Sequence, residues 1–274
     1  MRYSLLAGGK RIRPVLALAS ARALGLDHRE LLPFAGAVEL IHTYSLIHDD
    51  LPAMDDDELR RGRPTCHRVY GEDVAILAGD ALYAEAFHHL LAHQRSAPER
   101  LLEAARELAW ATGVNGMVGG QYLDIKRESR VAGEGRSGAA ELRTVHELKT
   151  GRLIGASVSC VLMLAGATEP ARMAFRRFAA ELGVLFQIVD DILDVTGTDA
   201  ALGKPSGSDE RSGRQTYATE LGIERARELA AESHRAARAA LAQAAPASRA
   251  AGGEGTCATA ELEEITDFIY TRTS

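Results

Sequence analysis

A chain of 274 residues that is 46% apolar and 26% charged has the composition of an ordinary soluble globular protein, with enough apolar residues to bury a large core in one domain. Its formal net charge of -6 argues against a nucleic-acid partner, because binding a phosphate backbone requires a basic surface. Cys66, Cys160 and Cys257 are odd in number, far apart and form no CxxC pair, which points to a reducing cytoplasm.

Met1 to Arg13 carries no apolar signal-peptide core. Pro14 suits the first turn of a helix that stops near Gly25. A long helix is expected over 29–50, with Leu32, Ala35, Val38, Leu40, Ile41 and Leu46 on its apolar side, and Pro52 prevents its regular continuation. Helical patterning then recurs at about 73–93, 98–112, 115–126, 141–165, 170–195, 217–244 and 260–271. The Gly- and Ser-rich stretches 129–140 and 245–255 read as loops. Leu153 to Thr168, the longest uncharged run, is too short for an ordinary membrane span and reads as a buried helix. No run alternates in β-branched residues, so the expected fold is all-α, a bundle with its site between facing helices.

Two acid clusters end apolar, helix-periodic stretches about half a chain apart: Asp49, Asp50 and Asp55, then Asp190, Asp191 and Asp194. Asp190 and Asp194 are four apart and share a helical face, where their carboxylates repel unless a cation lies between them. Alone, either cluster reads as a solvated helix face. The surrounding Leu46, Ile47, Ile188, Val189 and Ile192 change that balance, because buried acids are expensive unless paired or metal-bound. Oxygen ligands without nearby His or Cys favour Mg²⁺ over Zn²⁺, and Mg²⁺ commonly completes its shell with substrate phosphates.

Only four of the 32 basic residues are Lys, and three of them, Lys10, Lys149 and Lys204, lie in glycine-bearing segments where backbone can approach a ligand. A compact ammonium serves phosphate as a point charge, and Arg forks across two oxygens. The run Arg60-Arg61-Gly62-Arg63 follows the first acid cluster closely. A phosphate-bearing ligand, held partly by Mg²⁺ and partly by Arg, accounts for both signs of charge in one place.

GGKRIRP, HTYSLIHDDLPAMDDDELRRGRPTCH, GDAL, GGQYLD, HELKTG, FQIVDDILD and LGKPSG occur in that order. They resemble the motifs of the trans-isoprenyl diphosphate (polyprenyl) synthases, over most of the chain. The resemblance implies an isoprenoid-synthase-type helical bundle around a deep central cavity, acting as a homodimer with Mg²⁺. It implies head-to-tail prenyl transfer: an allylic diphosphate ionises, the double bond of isopentenyl diphosphate attacks the cation, and proton loss gives a longer allylic diphosphate. On the same resemblance, Asp49 and Asp55, supported by Asp50, and Asp190, with Asp191 and Asp194 nearby, are the metal-site residues. Lys10, Arg13, His42 and Arg61 correspond to the isopentenyl diphosphate pocket, and Arg60 to the allylic diphosphate site. Lys149, Thr150 and Gln187 correspond to the groups that bind diphosphate and stabilise the cation, and Lys204 completes the cation set.

Tyr44 lies five residues before Asp49, about 7.5 Å along a helix at ~1.5 Å per residue, where its ring would block a growing hydrocarbon chain. Tyr44, Ser45 and the four residues between Asp50 and Asp55 resemble bacterial farnesyl diphosphate synthases, so the expected product is C15 farnesyl diphosphate. If Tyr44 merely packs the core, C20 geranylgeranyl diphosphate follows instead. A class I terpene cyclase is disfavoured by the isopentenyl pocket and the second DDxxD. A non-catalytic partner subunit is disfavoured because both acid motifs are kept. Two departures from the family pattern stand out. GGKRIRP begins at Gly8 where the family has two preceding helices, so 1–274 is expected to be a single domain lacking them, and Arg214 replaces a family Lys. His88, His89 and His93 have ligand-like spacing but no family role.

Overall fold

The computed structural model describes residues 1–128, 139–196, 216–249 and 259–272. Among them helices dominate: α1 (Arg2–Leu5), α2 (Ile12–Ala23), a 3-10 turn (His28–Leu31), α3 (Leu32–Asp49), α4 (Cys66–Tyr70), α5 (Glu72–His93), α6 (Pro98–Thr112), α7 (Met117–Glu128), α8 (Ala139–His146), α9 (Arg152–Ala165), α10 (Glu169–Thr196), α11 (Tyr217–Leu221), α12 (Ile223–Arg249) and α13 (Ala260–Thr271). The expected all-α bundle is the architecture found. α3 lies along α5, α10 along α12, and α9 packs between α6, α10 and α2.

Two apolar clusters fill the bundle. One gathers Phe34, Ile41, Leu82, Leu90 and Leu108, and the other gathers Leu16, Phe175, Phe178, Leu182 and Leu241. α9 contributes to both, with Leu153, Ala156 and Cys160 on one side and Ile154, Val158 and Leu162 on the other. A helix buried on two faces must be apolar nearly all round. That explains why 140–165 is long and apolar enough, by length and composition, to cross a membrane while being mostly buried inside the fold.

Four local features depart from the periodic reading. The helix expected from residue 29 begins with a tighter turn, started by the Asp27 side chain accepting from the Arg29 N–H at 3.0 Å, and α3 proper carries Pro33 in its first turn. The helix expected over 141–165 is interrupted at Glu147–Gly151 by a π-helical turn, a widening often found at functional sites. Two glycines make room for that turn. A Cβ at Gly120 would lie 2.7 Å from the Cα of Lys149, and one at Gly183 would lie 3.1 Å from the Cα of Gly151. The helix expected over 217–244 breaks at Gly222 (φ +83°) and runs on to Arg249, so the first residues of the expected 245–255 loop are helical. The remainder of that loop, and 129–138 of the other, lie outside the described residues.

The fourth feature is a small hairpin, β1 (Leu59–Arg60) with β2 (Arg63–Pro64), antiparallel with Leu59 opposite Pro64. Its two-residue loop has Arg61 at φ +54° and Gly62 at φ +72°, the paired positive angles of a tight hairpin turn. Strands this short carry no alternation for sequence patterning to detect.

Candidate active site

The end of α3 builds the first acid site. Pro52 stops the helix, and the chain folds back so that the Asp55 N–H bonds the Asp49 carbonyl at 2.9 Å and the Asp56 N–H bonds the Leu51 carbonyl at 3.1 Å. This return brings Asp55 beside Asp49 although the two do not share a helical face. Burial, reinforced by Asp55 and Asp50, raises the Asp49 carboxyl to a pKa of about 6, against the pull of Lys149 and Arg60. Asp50 is buried and turned away from this pair. It accepts from Arg60 Nε at 2.8 Å and Nη2 at 2.5 Å, while Arg60 also donates to Asp57 at 2.8 Å. Burial raises Asp50 to about 6 despite that partner. Asp50 and Asp57 therefore hold Arg60 in place on the cavity wall.

The second acid site lies on α10, across the same cavity. Asp49 and Asp190 both line an opening of about 620 Å³, together with Arg13, His42, Tyr44, Arg60, Arg61, Lys149, Thr150 and Gln187. Burial raises the Asp190 carboxyl, opposed by Arg272, Lys10 and Arg13. Asp191 and Asp194 are buried and do not line the opening. Asp191 instead accepts from Gln187 Nε2 and from the Tyr217 N–H, each at 2.8 Å.

A cationic corner adjoins the acids. Arg13 Nη1 lies 3.4 Å from His42 Nε2, and Arg61 donates to the Gly8 carbonyl with its guanidinium against Gly9. Burial lowers the Arg13 pKa to about 10, only partly offset by Glu39 and Asp190, and its Nε is buried without a partner. Burial, then Arg13, Arg61, Arg60 and Arg11, push His42 far below the ordinary imidazole range, so its ring is neutral at pH 7. Lys10 is exposed within electrostatic reach of Arg272 and Asp190. Buried cations in this surplus favour an anion.

The π-helical turn supplies the third wall. Lys149 Nζ donates to Asp124 at 2.7 Å. Burial opposes the Lys149 charge, but Asp124, Asp49 and Asp55 together hold its pKa above the ordinary value. Thr150 Oγ1 donates to Gln187 Oε1 at 3.0 Å. Beyond these polar groups the lining turns apolar, with Leu46, Met54, Met117, Val118, Ile125 and Phe186. Tyr44 is 8% exposed on that wall, edge-on to Tyr83 with ring centroids 5.0 Å apart, and Tyr83 is in turn edge-on to Phe87 at 5.4 Å.

The fold thus brings ten of the expected residues onto one cavity: Arg13, His42, Tyr44, Asp49, Arg60, Arg61, Lys149, Thr150, Gln187 and Asp190. Lys204 and Arg214 lie outside the described residues. Sequence reasoning missed Asp124, whose signal was its place at the end of GGQYLD opposite a lone Lys, and Arg272. Arg272 Nη2 lies 3.3 Å from Asp190 Oδ1 and its guanidinium lies over Phe186, 5.9 Å from the ring centre. The spaced histidines make no three-residue site: His89 and His93 pack with their rings tilted and centroids 4.9 Å apart, and His88 faces Glu85.

The donor set suits a hard divalent cation. Among the described residues no three His, Cys, Asp or Glu side chains converge into an all-protein cage. Asp49 is desolvated and crowded by Asp55, a cost that a divalent cation relieves. An ion that uses one or two carboxylates and takes its remaining ligands from water and phosphate fits such a site.

An all-α bundle with facing acid motifs, a cationic corner and an apolar interior defines the class, and the comparisons give the family. The polyprenyl synthetase family model matches residues 1–248, and the chain belongs to that family. It is 48% identical over 239 residues to a chloroplastic geranylgeranyl pyrophosphate synthase of Capsicum annuum, covering 87% of this chain and 64% of that protein. It is 47% identical over 241 residues to the heterodimeric geranylgeranyl pyrophosphate synthase large subunit 1 of Arabidopsis thaliana, again covering 87% of this chain and 64% of the relative. This chain therefore spans a little under two thirds of those relatives. Among solved structures, the Helicobacter pylori geranyltransferase complexed with magnesium and isoprenyl diphosphate superposes with a TM-score of 0.86 at 32% identity, covering 98% of this chain and 86% of that one. An FPP/GFPP synthase from Zymomonas mobilis gives 0.83 at 33% identity, with the same coverage.

Proposed function

We propose that this chain is a short-chain prenyltransferase that condenses isopentenyl diphosphate with an allylic diphosphate, with Mg²⁺ as cofactor. The observation that carries the reading is one cavity with two unlike anion sites at the edge of an apolar interior, one flanked by carboxylates and one made of cations. The allylic substrate gives up its diphosphate, and isopentenyl diphosphate keeps its own. Asp49, Asp55 and Asp190 are the residues that would hold Mg²⁺, which would supply charge neutralisation for the departing diphosphate. Lys149 and Arg60, both fixed by carboxylate partners, add preorganised positive charge there. Thr150 and Gln187 present oxygen dipoles to the allylic cation. Arg13, Arg61 and Lys10 hold isopentenyl diphosphate, and neutral His42 can hydrogen-bond it.

The product we propose is C20 geranylgeranyl diphosphate. This reverses the preference drawn from Tyr44: the curated relatives at 45–48% identity are named geranylgeranyl pyrophosphate synthases. Farnesyl diphosphate is kept as a second reading because the Tyr44 ring stands on the cavity wall, backed by Tyr83. Labelled isopentenyl diphosphate offered with dimethylallyl, geranyl or farnesyl diphosphate separates the two. Elongation of farnesyl diphosphate to C20 supports the first reading, and arrest at C15 from every starter supports the second. We further propose a homodimer, because Leu77 and Leu91 of α5 and Leu102 and Trp110 of α6 are exposed large apolar residues on consecutive helices that a second copy would cover.

A further inference from the structure

Asp191 belongs to the second acid motif by sequence position, yet its carboxylate is engaged inside the protein. It is 3% exposed, its Oδ1 accepts from Gln187 Nε2 and its Oδ2 accepts from the Tyr217 N–H, each at 2.8 Å. The Tyr217 N–H belongs to the first turn of α11, one of the donors that a helix start leaves without a partner in its own ladder. A backbone donor cannot reverse, so it fixes one carboxylate oxygen. The other oxygen can only accept, which turns the NH₂ end of Gln187 toward Asp191. The Gln187 carbonyl end then faces Thr150, accepting its hydroxyl at 3.0 Å and leaving the Thr150 oxygen lone pairs free to point elsewhere.

We propose that Asp191 is a positioning residue, not a metal ligand: it sets which end of the Gln187 amide is presented to the cavity. The proposal rests on the prenyl-transfer reading of the site. Both ends of an amide have nearly the same shape but opposite polarity. With the carbonyl presented, Gln187 and Thr150 offer negative dipole ends to an allylic cation. With the amide reversed, an NH₂ group occupies that place and donates to Thr150, and the same side chains repel the cation. Asp191 thus controls the sign of the local field without touching the substrate.

The test begins with Asp191→Asn, which is nearly isosteric. Its Oδ1 keeps the Tyr217 N–H, its NH₂ meets Gln187, and the Gln187 amide must reverse. Losing a preorganised electrostatic partner costs about 10²–10³ in rate, so kcat should fall by roughly a hundredfold. The half-saturating Mg²⁺ concentration, both KM values and the calorimetric Mg²⁺-dependent binding of inorganic diphosphate should stay within about twofold, since none depends on the Gln187 carbonyl. Adding Gln187→Glu to Asp191→Asn restores an oxygen on each side, and kcat should recover at least tenfold. A purely structural cap would show neither the kcat-only loss nor the rescue.

A second comparison holds even where the single variant folds poorly. In a Gln187→Leu background, adding Asp191→Asn should cost no further rate, because the catalytic effect proposed for Asp191 is routed through the missing amide. The proposal is overturned by a tenfold rise in Mg²⁺ requirement with kcat regained at saturating Mg²⁺, by failure of the double variant to recover, or by a further tenfold loss in the Gln187→Leu background. Wild-type protein without any prenyl transfer would instead sink the underlying reading of the site.

Discussion

Replacing Arg13 by Met should stabilise the ligand-free protein while damaging one substrate site selectively. Burial lowers the Arg13 pKa from the ordinary guanidinium range to about 10, net of attraction to Glu39 and Asp190. At about 1.4 kcal/mol for each tenfold change in proton affinity, this is a penalty of about 3 kcal/mol. The sign is that of a base with a depressed pKa in the folded state. The charged form is penalised at every pH below about 10, so the full cost is present at pH 7–8 and fades only as pH rises through that value. Solvent reaches part of the side chain, which reduces the recoverable amount to about 1–2 kcal/mol, or a rise of about 2–6 °C in Tm for a chain of this size. A diphosphate paired with Arg13 restores the cation's partner, and losing such a charge-assisted bond costs about 1.5–3 kcal/mol. The KM for isopentenyl diphosphate should therefore rise roughly ten- to hundredfold while the KM for the allylic partner stays unchanged. Thermal melts with and without inorganic diphosphate, together with steady-state kinetics in each substrate, measure both effects. A variant that melts lower without ligand, or that loses the allylic site instead, would refute the reasoning.

Tyr44→Ala removes the ring that closes the apolar wall, and product chromatography should show chains at least one C5 unit longer, at a stability cost of about 3 kcal/mol. An unchanged product distribution would remove Tyr44 as the stop. Asp190→Ala should reduce turnover below detection by weakening Mg²⁺ binding, and a wild-type rate would contradict its place in the site. Because Asp49 must be ionised to hold a cation and burial has raised it to about 6, acidification protonates it below that pH. The Mg²⁺ concentration for half-maximal rate should climb about tenfold per pH unit there for each proton displaced, and a flat Mg²⁺ requirement down to about pH 5 would count against Asp49 as a ligand. Leu77, 66% exposed on α5, is proposed to be covered in a dimer. Sedimentation of Leu77→Glu should show monomer where wild type shows dimer, and an unchanged mass would place the interface elsewhere.

Most of the bundle is legible in the sequence because its helices are long and their apolar positions recur with helical period, as in 98–112, whose expected bounds are those of α6. What escaped depends on contacts between segments distant in sequence. The π-helical turn at Glu147–Gly151 keeps the helical residue pattern on both sides, and only Gly120 and Gly183 pressing against it reveal the widening. The hairpin at Arg61 and Gly62 is too short for a strand period. In the site, motif order located Asp49, Asp190 and Lys149 but could not say which way neighbouring acids face. Asp50 turns to Arg60 and Asp191 to Gln187, choices made by partners that sequence spacing does not place. Arg272 approaches Asp190 from 82 residues away, so no local motif marks it.

Two diphosphate sites of different chemistry in one cavity are separable by calorimetric titration of isopentenyl diphosphate alone and of a non-hydrolysable allylic thiolodiphosphate alone, each with Mg²⁺ and with chelator. Isopentenyl diphosphate should bind with nearly the same affinity in both conditions, while the allylic analogue should lose about a hundredfold or more without metal. Equal metal dependence for the two ligands would contradict this difference in chemistry.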